Sequence, residues 1–265
     1  MTEPRYPGVA DGAFRISNSS LQQLLRCGLA FLYAREDRHR SATPRMVIGT
    51  AVAAAAEHDN RAKIAQAPRP SLAELVDVGV ARFEREVSEV DVPASRLELD
   101  QAKDSAAEGS RAYGELVSPG IEDVLFAEEV VIATISPGLE LAGTVDTIQH
   151  GVVRDTKTGR RWTKQRADAT RQLSAYALLY EARLGEPPAR VAIDSLYEER
   201  GRWRAETLWS RRSERELSAF VETAERAKAA IESGTFLPAP DAAWYCSHDW
   251  CPFWRNNRCS ARPGA

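Results

Sequence analysis

Four cysteines and two methionines are all the sulfur that this 265-residue chain carries. So few cysteines exclude a disulfide-braced secreted scaffold, in which bridges stand in for a core. No apolar run approaches the roughly 20 residues needed to span a bilayer, and no membrane partner is expected. The opening, "MTEPRYPGVADGAFRIS", lacks the charged start and apolar core of a signal peptide. A cytoplasmic protein with reduced thiols is the expectation. An excess of positive charge is missing too: 35 Lys and Arg stand against 38 Asp and Glu, a formal net charge of −3. That excludes a general nucleic-acid coat, so any nucleic-acid contact must come from a local patch. Internal repeats and low-complexity tracts are absent. What is there is ordinary globular material, 43% apolar and 28% charged, enough to bury a core.

The first 120 residues are helical in pattern. "SNSSLQQLLRCGLAFLYARE" (17–36) offers Ser17 or Ser19 as a cap and repeats leucine at positions 21, 24, 25, 29 and 32. "VIGTAVAAAAEH" (47–58) is an Ala-rich helix suited to close packing. Two more helical patterns cover 71–88, after the breaker "PRP", and 95–116, after Pro93. The texture then turns β-branched and short, predicting strands at 124–135, 139–148 and 151–157. A helix over 167–185 ends at Gly185 ahead of two prolines. Strands follow at 189–199 and 202–210, then a helix over 213–234. The tail has no periodicity. These elements predict an α/β fold, a mixed central sheet flanked by helices. An N-terminal helical region (1–120) precedes the core (121–233), and a Cys-rich segment (234–265) closes the chain.

Within "LAGTVDTIQHGVVRDTKTGR" (141–160), His150-Gly151 reads as a two-residue hairpin turn, with glycine supplying the positive φ. Pairing then runs Gln149 to Val152, Ile148 to Val153, Thr147 to Arg154 and Asp146 to Asp155. Residues so opposed have Cβ atoms roughly 4.5–5.5 Å apart, and like charges there are destabilising. Alternation puts Lys157 on the same face. Most D-x-K tripeptides are charges scattered on a solvated hairpin; the facing aspartate distinguishes this one. A divalent cation between the carboxylates would turn repulsion into coordination, and oxygen ligands suit Mg²⁺ or Mn²⁺. Lys157 could then orient a water or hold charge developing on a phosphate.

"GTVD", then "DTKTG", then a helix carrying "QLSAY" resembles the PD-(D/E)XK nuclease superfamily. Within it the likeness is to the RecB-like branch, which includes CRISPR-associated and phage-encoded exonucleases. The resemblance implies a metal-dependent deoxyribonuclease, with Asp146, Asp155 and the Thr156 carbonyl as metal ligands and Lys157 as the catalytic lysine. It implies that Gln172 and Tyr176, i and i+4 on one helix face, help to hold the site and the DNA. Many members of the branch carry a metal-binding histidine in a helix written G-t-x-x-H-x-x-x-E. Here "GTAVAAAAE" puts Ala53 at that position and Glu57 at the trailing acid. The missing ligand falls to Glu57 or to water, or the metal binds weakly, or the site is degenerate. His58 lies about 140° further round the helix and is a poor substitute.

Three of the four cysteines, Cys246, Cys251 and Cys259, form a C-x4-C-x7-C run in the aperiodic tail, and Cys27 lies in the first helix. A segment with so little apolar surface calls for a metal staple. Thiolates suit Zn²⁺ and an iron–sulfur cluster alike, and the spacing does not choose between them. The resemblance does. Part of the RecB-like branch places one cysteine in the N-terminal helix and three near the C-terminus, around a [4Fe–4S] cluster. "SNSSLQQLLRC" is similar to that family's opening, although C-x2-C-x5-C is a common spacing there.

From Arg154 to Arg171 seven Lys/Arg stand against two Asp/Glu. Arg160, Arg161, Lys164 and Arg166 could neutralise phosphates, and Trp162 could stack on an unpaired base. The expected partner is DNA, as single strands or ends. Protein partners in recombination or CRISPR adaptation follow from the same resemblance. Two other classes stay open: a DNA-binding or scaffolding subunit with a decayed nuclease site, marked by Ala53, and a zinc-stapled interaction module without a nucleic-acid role.

Overall fold

The computed structural model describes residues 8–10, 12–36, 42–248 and 250–261. In chain order it begins with β1 (Gly8–Ala10), β2 (Ala13–Ile16), α1 (Asn18–Arg26) and α2 (Gly28–Glu36). Three long helices follow, α3 (Pro44–Ile64), α4 (Leu72–Glu89) and α5 (Arg96–Ala112). Next come β3 (Val124–Ser136), β4 (Leu139–Gln149), β5 (Val152–Gly159), α6 (Lys164–Ala169) and α7 (Arg171–Leu184). The chain continues through β6 (Arg190–Glu199), β7 (Arg202–Ser210), α8 (Glu214–Glu232) and the short α9 (Pro252–Arg255). Two compact units result. One takes in Met1–Arg38, Ile132–Ala142 and Ser218–Ala265; the other takes in His39–Val131 and Gly143–Leu217. No helix among the described residues is long and apolar enough to cross a membrane.

In the larger unit the predicted hairpin forms. β4 pairs antiparallel with β5 in the expected register, Gln149 to Val152, Ile148 to Val153 and Thr147 to Arg154. Gly151 takes φ +70°, as the turn requires, and its N–H donates to the Tyr180 hydroxyl at 2.7 Å, tying the hairpin tip to α7. β5 then runs parallel to β6, and β6 antiparallel to β7, so the sheet is mixed. β6 is buried continuously from Val191 to Tyr197, as a strand with neighbours on both sides and covered faces should be.

α3, α4 and α5 pack through small residues. Val47, Ala51, Phe83, Ala102 and Ala106 share one apolar cluster. A Cβ on Gly79 of α4 would lie 2.1 Å from the Ser110 hydroxyl of α5, so only glycine permits that approach. Capping boxes open α4 (Ser71, Glu74) and α5 (Ser95, Glu98), fixing where each starts. Asn60 of α3 donates to the Thr147 hydroxyl of β4 at 3.0 Å, a buried bond that seats α3 beside the strand carrying Asp146.

One buried ion pair braces the sheet. Arg154 grips Asp194 with both forks, at 2.8 and 2.7 Å, and the Thr207 hydroxyl donates to the same carboxylate at 2.7 Å. Both charges are essentially sealed from water, with side chains 4% and 1% exposed. Removing one partner strands the other. Asp194→Ala should therefore cost about 3–5 kcal/mol, read by denaturant unfolding, whereas an exposed pair would cost under about 1 kcal/mol.

The smaller unit departs from the sequence reading in three places. β1 and β2 were not expected; they are too short to show alternation, and β2 pairs parallel with Leu139–Leu141 of β4. The single helix expected over 17–36 is two, broken at Cys27, whose backbone is extended (φ −163°, ψ 109°). The break brings Gly28 against the tail: its N–H donates to the Leu237 carbonyl at 2.7 Å, and a Cβ there would lie 2.7 Å from the Leu237 nitrogen. Phe31 stacks on Phe236, and Tyr33 meets Phe253. In the larger unit, the helix expected over 167–185 is likewise two, because Thr170 (φ −75°, ψ 129°) ends α6 and caps α7.

Candidate active site

Five of the residues singled out in the sequence lie together on β4, β5 and α7. The ladder between β4 and β5 is recorded as far as Thr147 and Arg154, one pair short of the aspartates. There Asp146 turns back on the neighbouring strand, and its Oδ2 accepts the Thr156 N–H at 3.0 Å. Its Oδ1 accepts the Tyr176 hydroxyl at 3.0 Å. Asp155 Oδ1 accepts both Lys157 Nζ and Gln172 Nε2, each at 2.8 Å. Gln172 and Tyr176, one turn apart on α7, thus reach one aspartate each and lie 3.4 Å from one another. Asp155 Oδ2 is buried and has no hydrogen-bond partner.

Burial sets the electrostatics. Asp155 is wholly buried, and desolvation pushes its carboxyl up to about 7 against the pull of Lys157, with Asp146 adding repulsion. Burial opposes the Lys157 ammonium, but Asp155 and Asp146 outweigh it and hold its pKa above the ordinary lysine range. Tyr176 is raised well above a free phenol, by burial first and then by both carboxylates, so it stays a hydrogen-bond donor. These acids share one small volume with a single ammonium. An orphaned buried oxygen on a carboxylate that resists ionisation is what a divalent cation would relieve, and hard oxygen donors suit such an ion. The residues therefore fit Mg²⁺ or Mn²⁺. No three His, Cys, Asp or Glu side chains among the described residues converge closely enough to enclose an ion by themselves.

A third acid was missed in the sequence. Glu128 of β3 has φ +51°, a left-handed conformation that non-glycine residues seldom adopt and that breaks the regular pleat of a strand. Its half-buried carboxyl is pushed up to about 8 by desolvation, then by Asp146, Glu57 and Asp155. The signal was available in "VLFAEEVVIATI", where two acids interrupt an apolar strand. Glu129 is explained by Arg183, which it meets at 3.1 Å. Glu128 has no ion-pair partner among the described residues.

The helix α3 brings Glu57 near enough to act on Glu128, but its carboxylate pairs with Arg61 at 2.6 Å. Gly49, Ala53 and Glu57 recur at four-residue spacing on α3, and a Cβ on Gly49 would meet the Thr158 hydroxyl of β5 at 3.1 Å. Ala53 thus lies on the face turned to β5 and brings no ligand. His58 is exposed and acts on Glu74 instead.

The seven cations of the basic stretch do not form one patch. Arg154 is buried on Asp194, Arg161 pairs with Glu206 at 2.9 Å, and Lys164 pairs with Asp168. Trp162 is only 9% exposed, its backbone N–H donates to the Ser195 hydroxyl, and the Arg166 guanidinium covers its ring at 3.7 Å. Little of that indole is open to a base. Arg160 is exposed and forms no ion pair among the described residues.

All four cysteines are free thiols of the smaller unit. Cys27 sits where α2 begins, and its sulfur accepts the Ala30 N–H at 3.4 Å; Cys251 occupies the same place before α9. Burial raises the Cys246 thiol, and Cys251, Cys259 and Cys27 each add to the rise, so the four lie within electrostatic reach. As they stand they are not gathered into a ligand set.

Taken upward from its residues, the class is an α/β protein with two anchored carboxylates and an ammonium presented by paired strands. The chain belongs to the PD-(D/E)XK nuclease superfamily, whose sequence pattern matches residues 15–259. Among solved structures it is similar to a putative exonuclease from Eubacterium rectale, at 13% identity and a TM-score of 0.54, over 94% of this chain and 90% of that one. The structure of SSO0001 aligns more loosely, at 20% identity and a TM-score of 0.35, over 78% of this chain and 96% of that one. No curated protein matches the chain.

Proposed function

We propose that this chain is a divalent-metal-dependent deoxyribonuclease of the RecB-like branch, working from DNA ends on single or frayed strands. The observation that carries this reading is Asp155: a sealed carboxylate with one oxygen fixed by Lys157 and Gln172 and the other left without a partner. Asp146, Asp155 and the Thr156 carbonyl would hold Mg²⁺ or Mn²⁺, with Glu128 and Glu57 as the nearest further acids. Such an ion supplies an activated water and Lewis-acid stabilisation of the phosphate. The chain's own residues do the positioning. Tyr176 and the Thr156 N–H lock the orientation of Asp146, and Gln172 locks Asp155. Lys157, held cationic by its carboxylates, meets negative charge as it develops on the scissile phosphate. A reading as a silent DNA-binding subunit rests on Ala53; Asp146, Asp155, Lys157, Gln172 and Tyr176 remain in place against it.

Cys27, Cys246, Cys251 and Cys259 bind a [4Fe–4S] cluster, or Zn²⁺ in its stead, as a structural staple. Their support is positional: Cys27 directly precedes α2, Cys251 directly precedes α9, and all four thiols belong to the same unit. The setting is cytoplasmic DNA recombination, repair, phage DNA processing or CRISPR spacer acquisition, with protein partners to match.

The functional test is a time course on anaerobically purified protein with Mn²⁺, using end-labelled linear single- and double-stranded DNA beside closed circles. Loss of linear DNA with circles intact is expected; cleavage of circles would end the end-dependent reading. In the same preparation iron and inorganic sulfide should appear in equal amounts and vanish in Cys246→Ser. Zinc in their place, or no bound metal, would remove the cluster from the account.

A further inference from the structure

We infer that the C-terminal tail carries a second, non-catalytic binding site for single-stranded nucleic acid, built on Trp244 and Trp250. These two indoles are 66% and 64% exposed, although tryptophan is a residue that folding normally covers. They are not scattered. Their rings meet edge to face, with centroids 5.2 Å apart and planes at 87°, and Tyr245 meets Trp244 in the same manner at 5.6 Å. The group is fixed to α1: the Tyr245 hydroxyl donates to the Arg26 carbonyl at 3.2 Å, and the Arg26 guanidinium lies 4.1 Å from the Tyr245 ring and 5.9 Å from that of Trp244. Among the described residues Arg26 pairs with no carboxylate, so its charge is left for a ligand.

Despite these contacts, about two thirds of each indole remains exposed to solvent. The ligand that complements open π-faces beside a free guanidinium has flat apolar rings and negative charge in alternation. Single-stranded nucleic acid has both: unstacked bases for the indoles and a phosphate for Arg26, with no demand on sequence. Duplex DNA keeps its bases stacked on each other and could offer only phosphates. A site of this kind would bind a strand without using the carboxylates, and in that sense it rests on the nuclease reading and deepens it.

The test uses the full chain in EDTA, where no cleavage can occur, titrated with a fluorescein-labelled thymidine oligonucleotide. Anisotropy reports binding and tryptophan emission reports stacking. The wild-type protein should bind with quenched emission, a duplex of equal length should compete poorly, and Trp244→Ala with Trp250→Ala should weaken binding roughly tenfold or more. Trp244→Phe with Trp250→Phe, which keeps flat rings, should retain most of the affinity, and Arg26→Gln should weaken it and reduce its salt dependence. Equal affinity in the alanine variant, or no binding by wild-type protein, overturns the proposal. So does a variant that binds DNA normally but loses self-association in sedimentation, which would make the patch a protein contact. A parallel Mn²⁺ assay separates the two readings. Cleavage by the wild-type protein with unchanged oligonucleotide affinity in the alanine variant would leave the nuclease reading standing and this one not. Tryptophan-dependent binding without cleavage would do the reverse.

Discussion

Asp155→Ala should abolish Mn²⁺-dependent cleavage, by on the order of a thousandfold or more, while leaving the protein folded. The substitution does more than delete one oxygen donor. Asp155 is the point at which Lys157 and Gln172 converge, each at 2.8 Å. Without it the lysine loses its nearest anion, and the glutamine amide loses the acceptor that orients it. The sheet should tolerate the loss, because Asp155 Oδ2 contributes no hydrogen bond and the buried charge opposes folding. Asp155→Asn is the sharper companion. It keeps the volume and an acceptor for Gln172 but removes the charge, so activity should fall as far as with alanine. Lys157→Ala should also be severe, and Lys157→Gln should not restore it, since neither supplies a cation. Circular dichroism and denaturant unfolding on the same preparations separate lost chemistry from lost structure. Cleavage surviving in Asp155→Ala at wild-type rate would locate the activity elsewhere.

Much of this site was legible because it is built from short-range geometry. The hairpin register follows from one glycine turn, the shared face of Asp155 and Lys157 follows from the two-residue repeat, and the reach of Gln172 and Tyr176 follows from the helical repeat. What escaped the sequence depends on the third dimension or on broken regularity. Glu128 acts on the aspartates from the preceding strand, through a left-handed residue that no alternation rule predicts. Arg161, Lys164 and Trp162 look like DNA contacts in the linear sequence, but Glu206 and Asp168 pair with the two cations and Arg166 covers the indole. The break at Cys27 was hidden for the same reason: its cause, the approach of Gly28 to Leu237, lies in the tail. Leucine spacing through 17–36 is good enough for one helix, and tertiary packing overrules it.

The metal-free protein should lose stability as the pH rises from about 5.5 to 8, and Mn²⁺ or Mg²⁺ should restore it at the upper end of that range. Two carboxyls set the sign. Desolvation takes Asp155 from 3.8 up to about 7, and takes Glu128 from 4.5 up to about 8. Folded protein therefore holds protons that the unfolded chain has already released, and stability falls with pH until both sites have ionised. Groups with the opposite tendency, such as Glu74, Glu98 and Asp168, whose carboxyls are held below their usual range by hydrogen bonds, lose their contribution only in more acidic solution. They do not mask the effect above pH 5.5. At about 1.4 kcal/mol per unit the two shifts would sum to several kcal/mol, but neighbouring carboxylates titrate as a set, so roughly 3 kcal/mol is expected. For a chain of this size that is a fall of roughly 6–12 °C in Tm. A cation binds only the ionised carboxylates, so it should raise Tm strongly at pH 8 and little at pH 5.5, where it must first displace protons. Thermal melts in EDTA and in Mn²⁺ across this window make the comparison, with Glu128→Gln and Asp155→Asn as variants that should each flatten the EDTA profile. A metal-free Tm that holds level or climbs with pH would mean that these carboxylates are not kept from ionising. An Mn²⁺ effect of equal size at both ends would mean that the ion binds somewhere other than Asp155 and Glu128.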